Sequence, residues 1–220
     1  MAAVADPRSL PRFAFAVQDA GVHDGTAVPA LRLAVRIERA GGGPVRSIAL
    51  QAQVRIAAPR RGYDRAAQER LVEVFGPPEQ WGRTLRSLLW TQTTVMVGPF
   101  QDTTVVGVLL PCTYDFDVAA AKYLDALRDG DIPLELLFSG SVFAAAPDGR
   151  LAVTQIASDA EASYALPVRL WREAMARTFG DAPWVRLPRD TFDRLYAYRA
   201  SRVLGTWEAA VESLLREAGA

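Results

Sequence analysis

The chain has 220 residues, half of them hydrophobic, with 25 basic and 25 acidic side chains and no net formal charge. This size fits one large domain with a sizeable core, and the charge balance gives no general attraction to nucleic acid or to an anionic membrane. A single cysteine, Cys112, excludes an internal disulfide and a structural zinc site of several thiolates. No signal peptide and no transmembrane run is evident, so we predict a cytoplasmic protein without membrane insertion.

Alternating apolar residues predict strands in the first part of the chain. Phe13–Val17, Leu31–Ile37 and Ile48–Ile56 each place apolar side chains at every second position. Successive side chains of a strand point to opposite faces, so each segment is expected to bury one face. The glycine-rich stretch Gly41–Pro44 joins the last two segments, which predicts a hairpin between them.

A helix is predicted next, followed by two more strands. Asp64 is suited to cap a helix that continues to Phe75, and Gly76 is suited to the position after its end. Strands are expected at about Leu89–Val97 and Thr103–Leu110. The second of these is apolar on both faces, which predicts a central position in its sheet.

The middle of the chain continues the same pattern. A short helix is predicted over about Val118–Arg128, capped by Asp117, and strands over about Leu134–Phe143 and Leu151–Ile156. Gly140 within an apolar strand predicts a bulge. About eight strands with one-sided alternation favour an α+β fold, with an antiparallel β-sandwich-like or bent-sheet body over residues about 10–157.

After Ser158 the apolar period changes to that of helices. Val168, Trp171 and Met175 define the stripe of a first helix. A second helix is expected over about Arg189–Leu204 and a third from Thr206 through Ala218. This helical segment, about residues 165–218, is predicted to belong to one domain spanning residues 1–220. Its apolar stripes must be buried, on the sheet or on a partner.

A candidate polar corner follows the fifth predicted strand. Asp115 and Asp117 form a D-x-D that would suit a hard cation or a general acid–base pair. Alternatively, Asp117 caps the next helix and Asp115 binds backbone amides. Tyr114 and Cys112 adjoin this corner, but the only histidine, His23, is expected in a loop elsewhere, which favours a buried thiol over a nucleophile. The residues predict no metal-ligand set, no cofactor and no catalytic set.

Two further surfaces are candidates for binding. Partner docking is expected from apolar helix residues and a short basic loop, namely Trp171, Met175, Trp207, Arg60 and Arg61. The loop has too few arginines to predict nucleic-acid binding. A small-ligand groove lined by Trp90, Tyr114 and Tyr123 is a separate hypothesis.

Short motifs along the chain carry a family resemblance. They are Arg61-Gly62-Tyr63, Phe75-Gly76, Trp90-Thr91, Pro111–Phe116, Ala119–Tyr123, Pro133-Leu134, Leu137–Gly140 and Trp171–Glu173. With them the chain resembles, over nearly its whole length, an uncharacterised bacterial family known as a domain of unknown function. That family occurs in high-GC bacteria, near genes of NiFe hydrogenases and their maturation factors. The resemblance therefore implies a hydrogenase subunit or maturation factor as a partner, and it supplies no catalytic residues.

Three functional hypotheses follow. The first is a non-catalytic accessory, assembly or protein-binding factor, in hydrogenase biogenesis if the resemblance holds. The second is a hydrolase or metal-dependent enzyme that uses Asp115 and Asp117. The third is a small-ligand-binding β-sandwich. The sequence leaves the oligomeric state open, and the absence of a catalytic set favours the first hypothesis.

Overall fold

The antiparallel strands predicted from alternation are present in the computed structural model, which describes residues 12–41, 44–113, 118–146, 150–180, 185 and 187–219. The strands in this part of the chain are β1 Arg12–His23, β2 Ala30–Ala40, β3 Val45–Ile56, β4 Leu88–Val97, β5 Thr103–Pro111, β6 Asp131–Ala145, β7 Leu151–Gln155 and β8 Glu161–Pro167. The α-helices are α1 Arg65–Phe75, α2 Trp81–Thr84, α3 Ala119–Ala126, α4 Val168–Phe179, α5 Arg189–Ser201 and α6 Trp207–Ala218.

The strands form two antiparallel sheets. One sheet has the order β1-β2-β5, and the other has the order β4-β3-β6-β7, with β8 also paired to β6. Their inward faces form the core, and its fully buried residues include Leu31, Leu33, Val35 and Ile37 of β2 and Ile48, Leu50, Ala52, Val54 and Ile56 of β3. The predicted α+β class, a sandwich-like antiparallel body followed by a helical segment, is confirmed.

The predicted hairpin between β2 and β3 is wrong. The two strands lie in different sheets, because β2 pairs with β1 and β5 whereas β3 pairs with β4 and β6. At this crossover the amide of Arg39 donates to the carbonyl oxygen of Asp102 at 2.8 Å, and Val45 pairs with Phe100. Alternation identifies the buried face of a strand, but it does not identify the strand's hydrogen-bonded neighbour.

The predicted central position of β5 is also wrong. Among the described residues β5 pairs only with β2, so it is an edge strand of the three-stranded sheet. Its inward residues Val108 and Leu110 are buried, while Val105 on its other face is half-exposed. Apolar side chains on both faces of a strand therefore do not require a neighbour on both edges.

The helix α1 begins and ends as predicted. The Asp64 carboxylate accepts a hydrogen bond from the Ala67 amide at 2.7 Å, and Gly76 follows the helix with a φ of 74°. The predicted cap of α3 requires a correction, since its N-cap position is Val118, which has no side-chain acceptor. Asp117, predicted as the cap, lies outside the described residues.

Gly140 does not mark a bulge. It stays in register opposite Leu50 of β3, and the register shift between β3 and β6 lies at Val45 and Ser47. Residues that carry a side chain rarely adopt its backbone φ of 143°, and an added Cβ atom would lie 2.1 Å from the carbonyl oxygen of Ala49. Close backbone approach explains this glycine. It also lies between the part of β6 that pairs with β8, residues 131–137, and the part that pairs with β7, residues 141–145.

The chain divides into two compact units, Met1–Asp181 and Ala182–Ala220. In the first unit α4 packs against β1, β2 and β8. The second unit contains α5 and α6, which we call the helix pair. Whether all 220 residues fold as one cooperative domain stays a prediction.

Candidate functional site

Three residues of the predicted polar corner, Tyr114, Asp115 and Asp117, lie outside the described residues. The fourth, Cys112, is buried, and its backbone amide donates to the carbonyl oxygen of Pro29 at 2.8 Å. Burial raises the pKa of the Cys112 thiol to about 12. The thiol is therefore protonated at neutral pH and is not a nucleophile, in agreement with its interpretation as a buried thiol.

The state of Cys112 leads to a testable prediction. In the folded protein, a thiol-specific alkylating reagent at pH 8 is expected to label Cys112 orders of magnitude more slowly than in denaturant. Below the unfolded pKa of 9.0 the Cys112 thiol is protonated in both states, and its contribution to the free energy of unfolding is complete. This contribution is lost as the pH rises toward the folded pKa of about 12, because the unfolded chain releases the thiol proton more readily than the folded protein. Over this pH range the Cys112→Ala variant is expected to lose less unfolding free energy than the wild type, as measured by urea unfolding. Rapid labelling of the folded protein at pH 8 would contradict the prediction.

The predicted ligand groove is not formed as expected. Tyr123 is fully buried, with 0% exposure, so it does not line an open surface. Trp90 donates from its indole Nε1 to the carbonyl oxygen of Pro111 at 3.1 Å, which ties β4 to the end of β5. Tyr114, the third predicted residue, lies outside the described residues. Tyr123 is thus a core residue, and its assignment to the lining of a ligand groove is corrected.

Tyr123 belongs to an aromatic cluster between α1, α2 and α3, together with Tyr63, Phe75 and Trp81. The Tyr63 hydroxyl lies 2.8 Å from the Tyr123 hydroxyl and donates to the carbonyl oxygen of Ala58 at 2.7 Å. Burial raises the pKa of both tyrosines, so their hydroxyls stay protonated. The cluster has satisfied hydroxyls and stabilises the packing of the helices on the body.

The basic loop also has a structural explanation. Arg61 donates from its two Nη atoms to the carbonyl oxygens of Asp131, at 2.5 Å, and of Asp129, at 2.7 Å, and its side chain is mostly buried. Arg60 is exposed and forms an ion pair with Glu135 at 2.9 Å. Arg61 is thus not available to a partner, which corrects its assignment to a docking surface, while Arg60 remains accessible.

Two other titratable residues, Lys122 and His23, have positions that the sequence does not show. Lys122 is half-buried and pairs with Glu73. His23 is the last residue of β1 rather than part of the loop. Within the described residues, no three His, Cys, Asp or Glu side chains are grouped as potential metal ligands. No helix in the described ranges is long and apolar enough to cross a membrane.

The predicted docking residues of α4 are core residues. Trp171 is 2% exposed and Met175 is 1% exposed. Both belong to the main hydrophobic cluster, because α4 packs on strands of its own chain. Their assignment to a partner-docking surface is therefore corrected.

Trp207 is different, since it is 37% exposed on the helix pair. Its ring lies 5.2 Å from that of Phe192 and 6.1 Å from that of Tyr196, measured between centroids. The Arg199 guanidinium carbon lies 3.9 Å from the Trp207 centroid, a cation–π arrangement. Trp, Tyr and Arg are the residue types that dominate protein-binding energies.

The apolar surface continues along α6. Val211 and Leu215 are each 44% exposed, and Leu214 is also exposed. Among the described residues of the second unit only Ala210 is buried. Contacts between the helices combine these ring contacts of Trp207 with polar ones, such as the hydrogen bond between the hydroxyls of Tyr198 and Ser213 at 2.7 Å. The residues Trp207, Val211, Leu214 and Leu215, with Phe192 and Tyr196, are called the apolar face below.

The role of Arg199 in this cluster was not singled out from the sequence. Its position one turn after Tyr196 was apparent, but its stacking on Trp207 depends on how α5 and α6 cross. The available signal was the spacing of Phe192, Tyr196 and Arg199 along one side of α5. The structure adds the aromatic ring from the second helix.

The fold and these features define the class of protein, an antiparallel β-sandwich-like domain with a C-terminal helix pair. The chain belongs to the family of unknown function DUF6084, whose model matches residues 10–220. This confirms the resemblance to an uncharacterised family. No curated protein matches the chain.

Two solved structures show distant similarity to this chain. The CARDB domain of the PF1109 protein from Pyrococcus furiosus, solved in complex with di-metal ions, is 12% identical, with 71% of this chain and 87% of that chain covered and a TM-score of 0.28. Beta-glucosidase 3B from Thermotoga neapolitana is 16% identical, with a TM-score of 0.26. There 70% of this chain matches only 17% of the glucosidase. At these TM-scores neither similarity bears on function.

Proposed function

We propose that this protein is a non-catalytic accessory factor that acts by binding other proteins. The observation that carries the proposal is the apolar face of the helix pair. Its central residue Trp207 is stacked with Arg199 and remains 37% exposed, whereas the comparable Trp171 of α4 is buried. Apolar helix faces of this kind are the usual basis of helix-mediated recognition.

The chemistry of the described residues supports a binding role. The only thiol is buried and protonated, the tyrosine hydroxyls of the aromatic cluster are satisfied, and Lys122 is paired with Glu73. The alternative of a hydrolase or metal-dependent enzyme depends on Asp115 and Asp117, which lie outside the described residues, and it stays an untested prediction. In the setting that the family resemblance implies, the partner is a NiFe hydrogenase subunit or a maturation factor.

Co-purification tests the proposal. Tagged chain expressed at its native level is expected to recover a hydrogenase subunit or maturation factor, identified by mass spectrometry. Val211→Asp with Leu215→Asp is expected to abolish recovery, because it places two charges in the apolar contact. A matched control is Leu151→Asp with Val153→Asp on β7, where the side chains are 57% and 54% exposed.

Two outcomes would overturn the proposal. The first is that the wild-type chain recovers no protein above the level of the tag alone. The second is that the α6 variant and the β7 control recover the same proteins in equal amounts, which would show that the apolar face plays no part in binding. Circular dichroism of both variants checks that each chain is folded.

A further inference from the structure

Arg39 is a charged residue on the inward side of the sandwich. Along β2 the alternation that buries Val35 and Ile37 brings Arg39 to the same face. Its antiparallel partner in β1 is Phe13, which packs against the hydrophobic core. The Arg39 amide donates to the carbonyl oxygen of Asp102, so the backbone at this position is held in place. The guanidinium group therefore belongs to the end of the core rather than to the outer face of the sheet.

The Arg39 guanidinium has no polar partner among the described residues. Its Nε and Nη1 atoms are buried without a hydrogen bond, and no carboxylate in that part of the chain forms an ion pair with it. Its Cζ atom lies 6.0 Å from the centroid of the Phe13 ring, at the outer limit of a cation–π contact. Burial lowers the pKa of Arg39. Because an arginine stays charged in a protein, this positive charge is left unbalanced.

Two other arginines show how this protein satisfies the same group. Arg36, on the outer face of β2, forms an ion pair with Glu38 at 2.7 Å and also donates to the Thr103 hydroxyl. Arg61 donates from its two Nη atoms to backbone carbonyl oxygens at 2.5 and 2.7 Å, which leaves only its Nε without a partner. Arg39 has neither kind of acceptor within the described ranges, and this missing acceptor points to a ligand.

Arg39 lines an open pocket of about 300 Å³, which is formed by residues 12–14 of β1 and 38–40 of β2. This volume is at the lower end of the range for small-molecule sites. The lining has two arginines, Arg12 and Arg39, and one carboxylate, that of Glu38, so its net charge is +1. The remaining lining residues, one phenylalanine and two alanines, supply an apolar wall. Because the Glu38 carboxylate opposes a second negative charge, the pocket suits a small monoanion with an apolar part.

We infer that Arg39 anchors the carboxylate of a small organic acid in this pocket. Guanidinium and carboxylate groups are both planar, and the charge-assisted hydrogen bonds between them are among the strongest in proteins. A bound carboxylate supplies the acceptor and the negative charge that the described residues do not give to Arg39. The apolar part of the ligand lies against the ring of Phe13. The pocket belongs to the first unit, so this inference goes beyond the proposed function and does not depend on the apolar face.

Binding of benzoate to the full-length chain tests the inference. Benzoate carries one carboxylate on an apolar ring, and calorimetric titration is expected to give a dissociation constant of about 1 mM or lower. Benzamide, a neutral molecule of the same shape, is expected to bind at least about tenfold more weakly. Inorganic phosphate at equal ionic strength is also expected to bind more weakly, because Glu38 opposes its second charge. Absence of benzoate binding, or equal or tighter binding of benzamide or phosphate, overturns the inference.

The Arg39→Met variant separates a binding role from a structural one. It removes the charge and keeps a long apolar side chain, so we expect benzoate binding to weaken about tenfold or more. Because an unbalanced buried charge is lost, its urea midpoint without ligand is expected to equal or exceed that of the wild type. Arg32→Met, at an exposed position of the same strand, is the matched control and is expected to keep wild-type binding.

Benzoate is expected to raise the urea midpoint of the wild type and of Arg32→Met, but not that of Arg39→Met. Equal benzoate binding by Arg39→Met and the wild type overturns the inference, and so does an equal loss of binding in the two variants. A lower midpoint for Arg39→Met than for the wild type without ligand also overturns it, because Arg39 then has a partner within the protein.

Discussion

Replacing Gly140 with alanine is expected to lower the free energy of unfolding by about 3 kcal/mol or more. The residue has a φ of 143°, and an added Cβ atom would lie 2.1 Å from the carbonyl oxygen of Ala49 on the neighbouring strand β3. Both clashing groups belong to the backbone of paired strands, so neither is able to rotate away. The clash is relieved only if β3 and β6 move apart at the centre of the five-stranded sheet.

The matched control for this substitution is Gly98→Ala. Gly98 has no heavy atom within 4 Å of its added Cβ and no positive φ. We expect its unfolding free energy to change by less than about 0.5 kcal/mol, as for an ordinary surface position. Urea unfolding followed by circular dichroism measures both variants. Equal midpoints for the two would show that the close approach at Gly140 is absent.

Replacing Trp171 with alanine is the second change with a large expected effect, a loss of about 3–5 kcal/mol in unfolding free energy. Trp171 is 2% exposed, and α4 packs against β1, β2 and β8. Removing its ring would leave a large cavity that the surrounding strands fill only in part. The variant is expected to unfold at a much lower urea concentration.

Trp207→Ala provides the comparison, because it removes the same side chain from the helix pair. Trp207 is 37% exposed, so we expect a loss of about 1 kcal/mol or less for the single chain. Unfolding is measured at a protein concentration low enough to exclude association. A large loss for Trp207→Ala with a small loss for Trp171→Ala would reverse the assignment of the two helices.

Several local features followed directly from the sequence. The N-cap of α1 at Asp64 and its end at Gly76 depend on side-chain chemistry within a few residues, and the structure has both. The burial of alternate residues along β2 and β3 also followed, because period-two alternation reflects the two faces of a strand. The strand β8 was missed although its inward residues Ala162, Tyr164 and Leu166 alternate with exposed ones, because seven residues that include two alanines and one serine give a weak apolar pattern.

The candidate sites depended more on tertiary structure. Trp171 and Trp207 both belong to amphipathic helices, but the first is buried against strands of its own unit and the second is 37% exposed. Arg61 belongs to a basic loop in sequence, yet its guanidinium binds the carbonyl oxygens of Asp129 and Asp131, about 70 residues along the chain. Helical periodicity shows that a face must be covered, but it contains no information on the covering surface.

By itself, the sequence determined the antiparallel β-rich body, the helical end of the chain and the faces that each element buries. These depend on interactions between residues a few positions apart, which composition and period express directly. Only the tertiary structure decided that β2 and β3 lie in separate sheets, that β5 is an edge strand and that α4 belongs to the core. Those outcomes depend on contacts between residues distant in the chain, where many arrangements satisfy the same local pattern. The physical reason is that burial is non-directional, so it selects a face without selecting its neighbour.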